Sequence, residues 1–239
     1  MTEQTTIVVG ASRGLGRGIA TALAATGTPV VAVSRTPADL PGIRSEMADA
    51  ADPIVVADLV DRYDPDTIVV VAGATPHMRP LQQHTWETFS VHWQVDIRIA
   101  FHWLREALLK PLRPGSRVVV FSSGAAVNGS PISGGYAGAK ATQRFITRYA
   151  QEESDRAGLD ITFTALLPGF APSTGVGRPA TRAYAARAGQ GLATFLEAAQ
   201  PELTPQVAGT AIVELVQADT ATLAPTYGLY GTGLKALPE

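Results

Sequence analysis

Short runs rich in β-branched residues return along this chain at intervals that leave room for one helix between them. Thr5–Val9, Pro29–Ser34, Thr67–Ala72, Ser116–Ser122 and Ile161–Leu167 are too short for buried helices and too evenly apolar for half-exposed strands. They read as strands covered on both faces. A weaker run, Ile43–Ala48, fits a further strand, and Thr222–Tyr230 fits a last one that closes the sheet. Helical spacing fills the intervals: Gly14–Thr26, a helix opened by Asp52 and Pro53 and running to Tyr63, Thr85–Lys110, Gly135–Ala157, and Pro205–Ala218 capped by Thr204. Such alternation implies an α/β fold with a doubly wound parallel sheet and helices on both faces. A ligand crevice is then expected beyond the carboxyl ends of the strands. One connection is awkward. Arg35–Gly42 is shorter than the dozen or so residues of a usual parallel crossover, so either a tight turn replaces the helix or the third strand starts later.

The whole of 1–239 suits a single domain, and 46% hydrophobic with 17% charged residues supports a sizeable core. A net charge of −2 without a basic cluster argues against nucleic acid or an anionic membrane as partner. There is no cysteine, which excludes disulfide and thiolate chemistry. No apolar run approaches the ~20 residues that span a bilayer, and the N-terminus leads straight into a strand, so a cytoplasmic location is expected. The histidines show no metal-ligand spacing, and no metal is expected.

Two stretches carry chemistry. Gly10, Ser12, Arg13, Gly14, Leu15 and Gly16 follow the first strand and open the first helix. Glycines there allow a tight turn and close backbone approach, and the helix N-terminus offers free N–H groups to a pyrophosphate. In Phe121–Lys140, Tyr136 and Lys140 stand at i and i+4 on one helix face, and Ser123 sits at a strand's carboxyl end. A tyrosine that gives up and regains a proton must exchange it near neutral pH. Tyrosine ordinarily ionises near pH 10, about three units too high for ready exchange at neutral pH. The Lys140 ammonium would favour its phenolate, and Ser123 could hold the substrate oxygen.

Together GASRGLG, VAG at Val71–Gly73, Ser123, Tyr136, Lys140 and Leu167-Pro168-Gly169 resemble the short-chain dehydrogenase/reductase family, in order, over nearly the whole chain. The resemblance implies a Rossmann-like single domain and NAD(P)-dependent hydride transfer at a carbonyl or alcohol carbon. It implies that Lys140 also binds the nicotinamide ribose, that Ala72, Gly73, Pro168 and Gly169 line the cofactor, and that Asp49 contacts the adenine. Ser173 or Thr174 would touch its carboxamide or phosphates. Asp52, a competing candidate for the adenine, is explained by its N-cap role. Arg35 after the second strand, with Arg13, favours NADP(H) over NAD(H), because guanidinium suits a 2′-phosphate and no carboxylate repels it. Residues 170–200 correspond to the family's substrate loop and lid helices. A homodimer or homotetramer would form through the family's fourth and fifth helices, here 85–110 and 135–157.

The chain departs from the family pattern twice. Val71 replaces an asparagine, which removes a loop-holding hydrogen bond. Asp96 replaces the catalytic asparagine whose backbone carbonyl holds a water in the proton relay to Lys140. Asp96 is expected to stay in that relay, with a purely structural carboxylate as the other reading. His77 is a candidate for lining the substrate pocket. His92, His102, Trp93 and Trp103 read as packing or interface residues. The leading expectation is an NADPH-dependent ketone or aldehyde reductase acting on a small molecule. An NAD-linked alcohol dehydrogenase and a non-catalytic NADPH-binding sensor or scaffold are the alternatives.

Overall fold

The computed structural model describes residues 4–238. Strands β1 (Thr6–Val9), β2 (Val30–Ser34), β3 (Arg44–Met47), β4 (Thr67–Val70), β5 (Arg117–Phe121), β6 (Thr162–Pro168), β7 (Thr226–Tyr230) and β8 (Gly233–Ala236) form one sheet in the order β3-β2-β1-β4-β5-β6-β7-β8. All neighbours are parallel except β7 and β8, which make an antiparallel hairpin at the edge. The order reverses direction between β1 and β4, so a crevice opens there above the carboxyl ends.

Helices α1 (Gly14–Ala25) and α9 (Pro205–Gln217) cover one face. Their apolar residues, among them Ile19, Leu23, Ile212 and Leu215, pack on Val8, Ala32, Val119 and Leu166. The opposite core joins Ile7, Val33, Ile68 and Val120 to α2 (Pro53–Tyr63), α4 (Arg98–Leu109) and α6 (Gly134–Ala157). Trp103 is fully buried there and donates its indole N–H to Ala50 O at 3.2 Å.

The structure resolves the awkward connection. Strand β3 pairs in parallel with β2, and residues 35–43 join them without a helix. Ala38 and Leu40 tuck into the core, and the Ala38 N–H bonds Ser45 Oγ at 3.0 Å, so a compact turn does the work of a crossover helix. Asp52 caps α2 through the Ile54 N–H, with Pro53 in the first turn, as its sequence implies.

The segment 85–110 is not one helix. It begins as α3 (Trp86–His92), widens into a π turn over Trp93–Ile97, and continues as α4. A π turn holds one more residue than an α turn, which moves the buried face on by roughly 100°. His92, Asp96, Ile99, Ala100, Trp103 and Leu104 therefore face inward. Trp93, read as a packing or interface residue, and Phe101 stand partly in solvent. A short helix α5 (Ala125–Asn128) and the hairpin strand β8 were not expected. The 170–200 segment forms two helices, α7 (Gly177–Arg187) and α8 (Leu192–Ala198).

Helices α1 and α9 approach through glycine on both sides. A Cβ on Gly18 would lie 2.1 Å from Pro205 O, and one on Gly209 would lie 2.7 Å from Gly18 O. Exchanging Gly18 for alanine gains about 1 kcal/mol of helix propensity but forces two backbones apart, at about 1–3 kcal/mol. Gly18→Ala should therefore lower the midpoint of urea unfolding, and a variant as stable as the parent would refute this packing.

Candidate active site

The turn from β1 into α1 is shaped by close contacts. Gly10 has φ +94°, and a Cβ on it would come within 2.7 Å of Ala72 N. A Cβ on Gly16 would be 2.2 Å from Gly10 O. The loop therefore lies flat against the end of β4 and leaves the first turn of α1 open, where Arg13 at the N-cap makes no side-chain capping bond. These features fit a pyrophosphate. Beyond β2, Arg35 is exposed, and neither Arg13 nor Arg35 forms an ion pair or side-chain hydrogen bond among the described residues. Asp49 holds the Ala51 N–H at 3.0 Å and also faces the crevice.

The other end is built by β5, the π turn and α6. Ser122 is buried and donates to Lys140 O at 2.7 Å, which fixes the start of α6 against the end of β5. Ser123 turns to the cleft instead, its Oγ accepting from the Ala125 N–H at 3.2 Å. Gly135 lets α6 rest on α3, since a Cβ there would be 2.1 Å from Phe89 O. Tyr136 and Lys140 project from the same face, with the Lys140 ammonium 5.5 Å from the tyrosine ring centroid.

Lys140 is 5% exposed. Its Nζ donates to Phe121 O at 3.1 Å and Gln143 Oε1 at 2.8 Å, and lies 3.3 Å from Asp96 Oδ2. Asp96 is wholly buried in the π turn. Its Oδ1 accepts the Ala74 N–H at 2.7 Å, its Oδ2 meets His92 Nδ1 at 3.3 Å, and its backbone carbonyl accepts from Gln143 Nε2 at 2.8 Å. Burial alone would push the Asp96 carboxyl up. The Lys140 ammonium, the His92 contact and the Ala74 N–H outweigh it and hold the group below its ordinary value. His92 in turn stands edge-on to the Tyr136 ring, with centroids 5.1 Å apart.

One cleft of about 970 Å³ takes in both ends. Gly10, Ser12, Arg13, Gly14, Leu15, Gly16, Arg35, Asp49, Ala72, Gly73, Asp96, Ser123, Tyr136, Lys140, Pro168 and Gly169 all line it. Ser173 does not. It is exposed and its N–H is bound by Glu202, whereas Thr174 lines the cleft and is buried by its bond to Ala171 O. His77 is also exposed and outside the lining, while its neighbours Pro76 and Met78 are part of it. Phe170 and Tyr184 meet edge-to-face above the same space, and Tyr184 OH bonds Ser130 Oγ. Gln143 and His92 were missed as site residues. Gln143 could have been found as the i+3 partner of Lys140, and His92 as the i−4 partner of Asp96.

Comparison with known proteins agrees with this geometry. The short chain dehydrogenase family model matches residues 4–185. A short-chain type dehydrogenase/reductase of Picea abies is 33% identical over 188 residues, which is 68% of this chain and 69% of that protein. An L-xylulose reductase of Homo sapiens is 36% identical over 99 residues, but the match spans only 38% of this chain and 41% of the reductase. Among solved structures, an actinorhodin polyketide ketoreductase with NADPH superposes with a TM-score of 0.80 at 19% identity, over 96% of each chain. The chain belongs to the short-chain dehydrogenase/reductase family and is an NAD(P)-dependent oxidoreductase.

Proposed function

We propose that this protein is an NADPH-dependent reductase of a ketone or aldehyde carried by a small molecule. The observation that carries the reading is the single cleft, in which a phosphate-sized cradle with two unpaired guanidiniums joins a Ser123–Tyr136–Lys140 set. The tight glycine contacts around Gly10 and Gly16 fit a dinucleotide lying close to the backbone. Gly10 to Gly16 would hold its pyrophosphate, Arg35 and Arg13 its 2′-phosphate, Asp49 its adenosine end and Lys140 its nicotinamide ribose. Bound there, the reduced nicotinamide supplies the hydride.

The chain's own groups then handle the oxygen. Ser123 Oγ donates a hydrogen bond to the substrate carbonyl and holds it over the cleft. As negative charge grows on that oxygen, Tyr136 OH gives it a proton. The phenolate left on Tyr136 is stabilised by the Lys140 ammonium, which buried surroundings make more effective than it would be in water. Phe170, Tyr184 and residues 170–200 would shape the substrate side. Among the described residues no helix is long and apolar enough to cross a membrane; a cytoplasmic setting is part of the proposal.

Trp93 and Phe101 on the π turn and α4, and Phe145 and Tyr149 on α6, stand 43%, 49%, 66% and 54% exposed. Such aromatics on neighbouring helices support a homodimer or homotetramer through this face. Phe145→Glu should shift the sedimenting species toward monomer, and a parent protein that is already monomeric at micromolar concentration would refute the interface.

Tyr136→Phe should reduce turnover of a responsive carbonyl at least 10²-fold while NADPH still binds. Activity within a few-fold of the parent would sink the mechanism, and NADPH binding without turnover by the parent across a broad carbonyl panel would favour a sensor. Arg35→Ala removes a charge-assisted bond of about 1.5–3 kcal/mol, so the NADPH dissociation constant should rise roughly 10–100-fold. The constant for NADH should stay put, and equal effects on both would remove the basis for NADPH preference.

A further inference from the structure

The cleft that holds Ser123 and Tyr136 has a neighbour. Past Phe170 lies a second cavity of about 470 Å³, within the range of roughly 300–1,000 Å³ that holds small ligands. Gly169, Phe170 and Tyr230 line both spaces, so the two adjoin. Phe170 stands between them. Its ring meets Tyr184 edge-to-face at 5.4 Å and Phe195 at 5.6 Å. Tyr184 lines only the cleft, and Phe195 lines only the second cavity. Gly169 makes room at the junction, because a Cβ there would lie 3.1 Å from the Tyr230 ring.

The walls decide what can fill this space. Phe195, Ala198 and Pro201 add apolar surface, while Gln190, Gln200 and Thr232 are polar but uncharged. Among the described residues no charged side chain lines the second cavity. The charges of the main cleft lie elsewhere. Arg13, Arg35 and Asp49 stand at the other end, beyond β1, β2 and β3. Arg98 shares the field at His102 with Asp52, the cap of α2, which places it at that end too. Lys140 and Asp96 are buried and face each other at 3.3 Å. A charged group entering beside Phe170 would therefore lose water without finding a partner. A hydrocarbon group would gain by leaving water.

We propose that the second cavity is the subsite for the body of the substrate, and that the enzyme takes ketones carrying an uncharged hydrocarbon arm. The inference rests on the reductase reading given above, and it names the substrate class for that site. The carbonyl lies by Ser123 and Tyr136, and the arm passes Phe170 and Tyr230 to reach Phe195 and Ala198. Phe170 and Tyr230 are thus specificity-determining residues.

Steady-state reduction of straight-chain methyl ketones, from butanone upward, by the full chain with saturating NADPH reads out the subsite. The kcat/KM should rise about three- to fourfold per added methylene while the arm fills the cavity, then level off. Replacing the terminal methyl of a long ketone by a carboxylate should cancel most of that gain. Thr232 is exposed in the turn between β7 and β8 and lines only the second cavity, so Thr232→Trp narrows that space without entering the core. The variant should level off at a shorter ketone than the parent does. No dependence on length in the parent, a carboxylate as good as the methyl, or an unchanged length profile in Thr232→Trp would overturn the inference and leave the proposed function standing. If Thr232→Trp does not fold, the first two comparisons decide. If no ketone or aldehyde is turned over, the proposed function falls and this inference falls with it.

Discussion

The contact on which the active end of this protein depends is the buried pair of Asp96 and Lys140. Two charges removed from water are tolerated only when their remaining valences are met, and here they are met from separate parts of the chain. The Ala74 N–H comes from the loop after β4, His92 from α3, Phe121 O from the end of β5 and Gln143 from α6. Each partner can reach only if its element ends where it does. The pair thus clamps two strand ends to two helices in the cleft that Ser123 and Tyr136 also line. It also explains Gly73, because a Cβ there would come within 2.9 Å of Asp96 Oδ2.

The π turn follows from the same demand. An α-helix running unbroken from 86 to 109 would leave the Asp96 carbonyl bonded within the helix. The wider turn over Trp93–Ile97 lets the carboxylate point into the core and the carbonyl meet Gln143 Nε2. Extra residues in helices often sit at functional sites for this reason: they free a backbone group at a cost in regular hydrogen bonding. At the opposite end, the glycine contacts of the β1–α1 turn do the complementary task. They leave no room for side chains along one end of the cleft, whereas the clamp fills the space behind Tyr136 and Lys140 with packed side chains.

What the sequence made legible was local. Buried parallel strands are nearly continuous apolar runs, so β1, β2, β4, β5 and β6 could be read directly, and the Gly10–Gly16 turn and the Tyr136–Lys140 spacing each sit within a few residues. The structure brings all of these to one cleft. Tertiary features were not legible. Strand β8 carries Gly-Leu-Lys-Ala without a β-branched residue and forms only because β7 offers it an edge. The π turn has no local signature in Trp93–Ile97, since it answers a long-range contact to Gln143. Thr174 rather than Ser173 reaches the cleft because Ala171 O and Glu202 fix the two residues in opposite senses. The tight β2–β3 connection was recognised as a conflict, but its resolution depended on burying Leu40 and Ala38.

The two departures from the family pattern prove to be parts of one arrangement. Valine at 71 gives up a side chain that could hold the loop after β4, and it packs against the core instead. The loop is nevertheless held, by Asp96 Oδ1 on the Ala74 N–H at 2.7 Å. A neutral asparagine at 96 could accept that bond too, but it would not draw Lys140 inward or give His92 a charged partner. The aspartate therefore does more than replace a lost hydrogen bond: it introduces a buried charge, which the Lys140 ammonium balances at 3.3 Å. Gln143 Nε2 takes one of the two lone pairs of the Asp96 carbonyl. In this chain residue 96 clamps through its side chain as well as its backbone, and that carboxylate is held jointly by the Lys140 ammonium, the Ala74 N–H and His92 Nδ1.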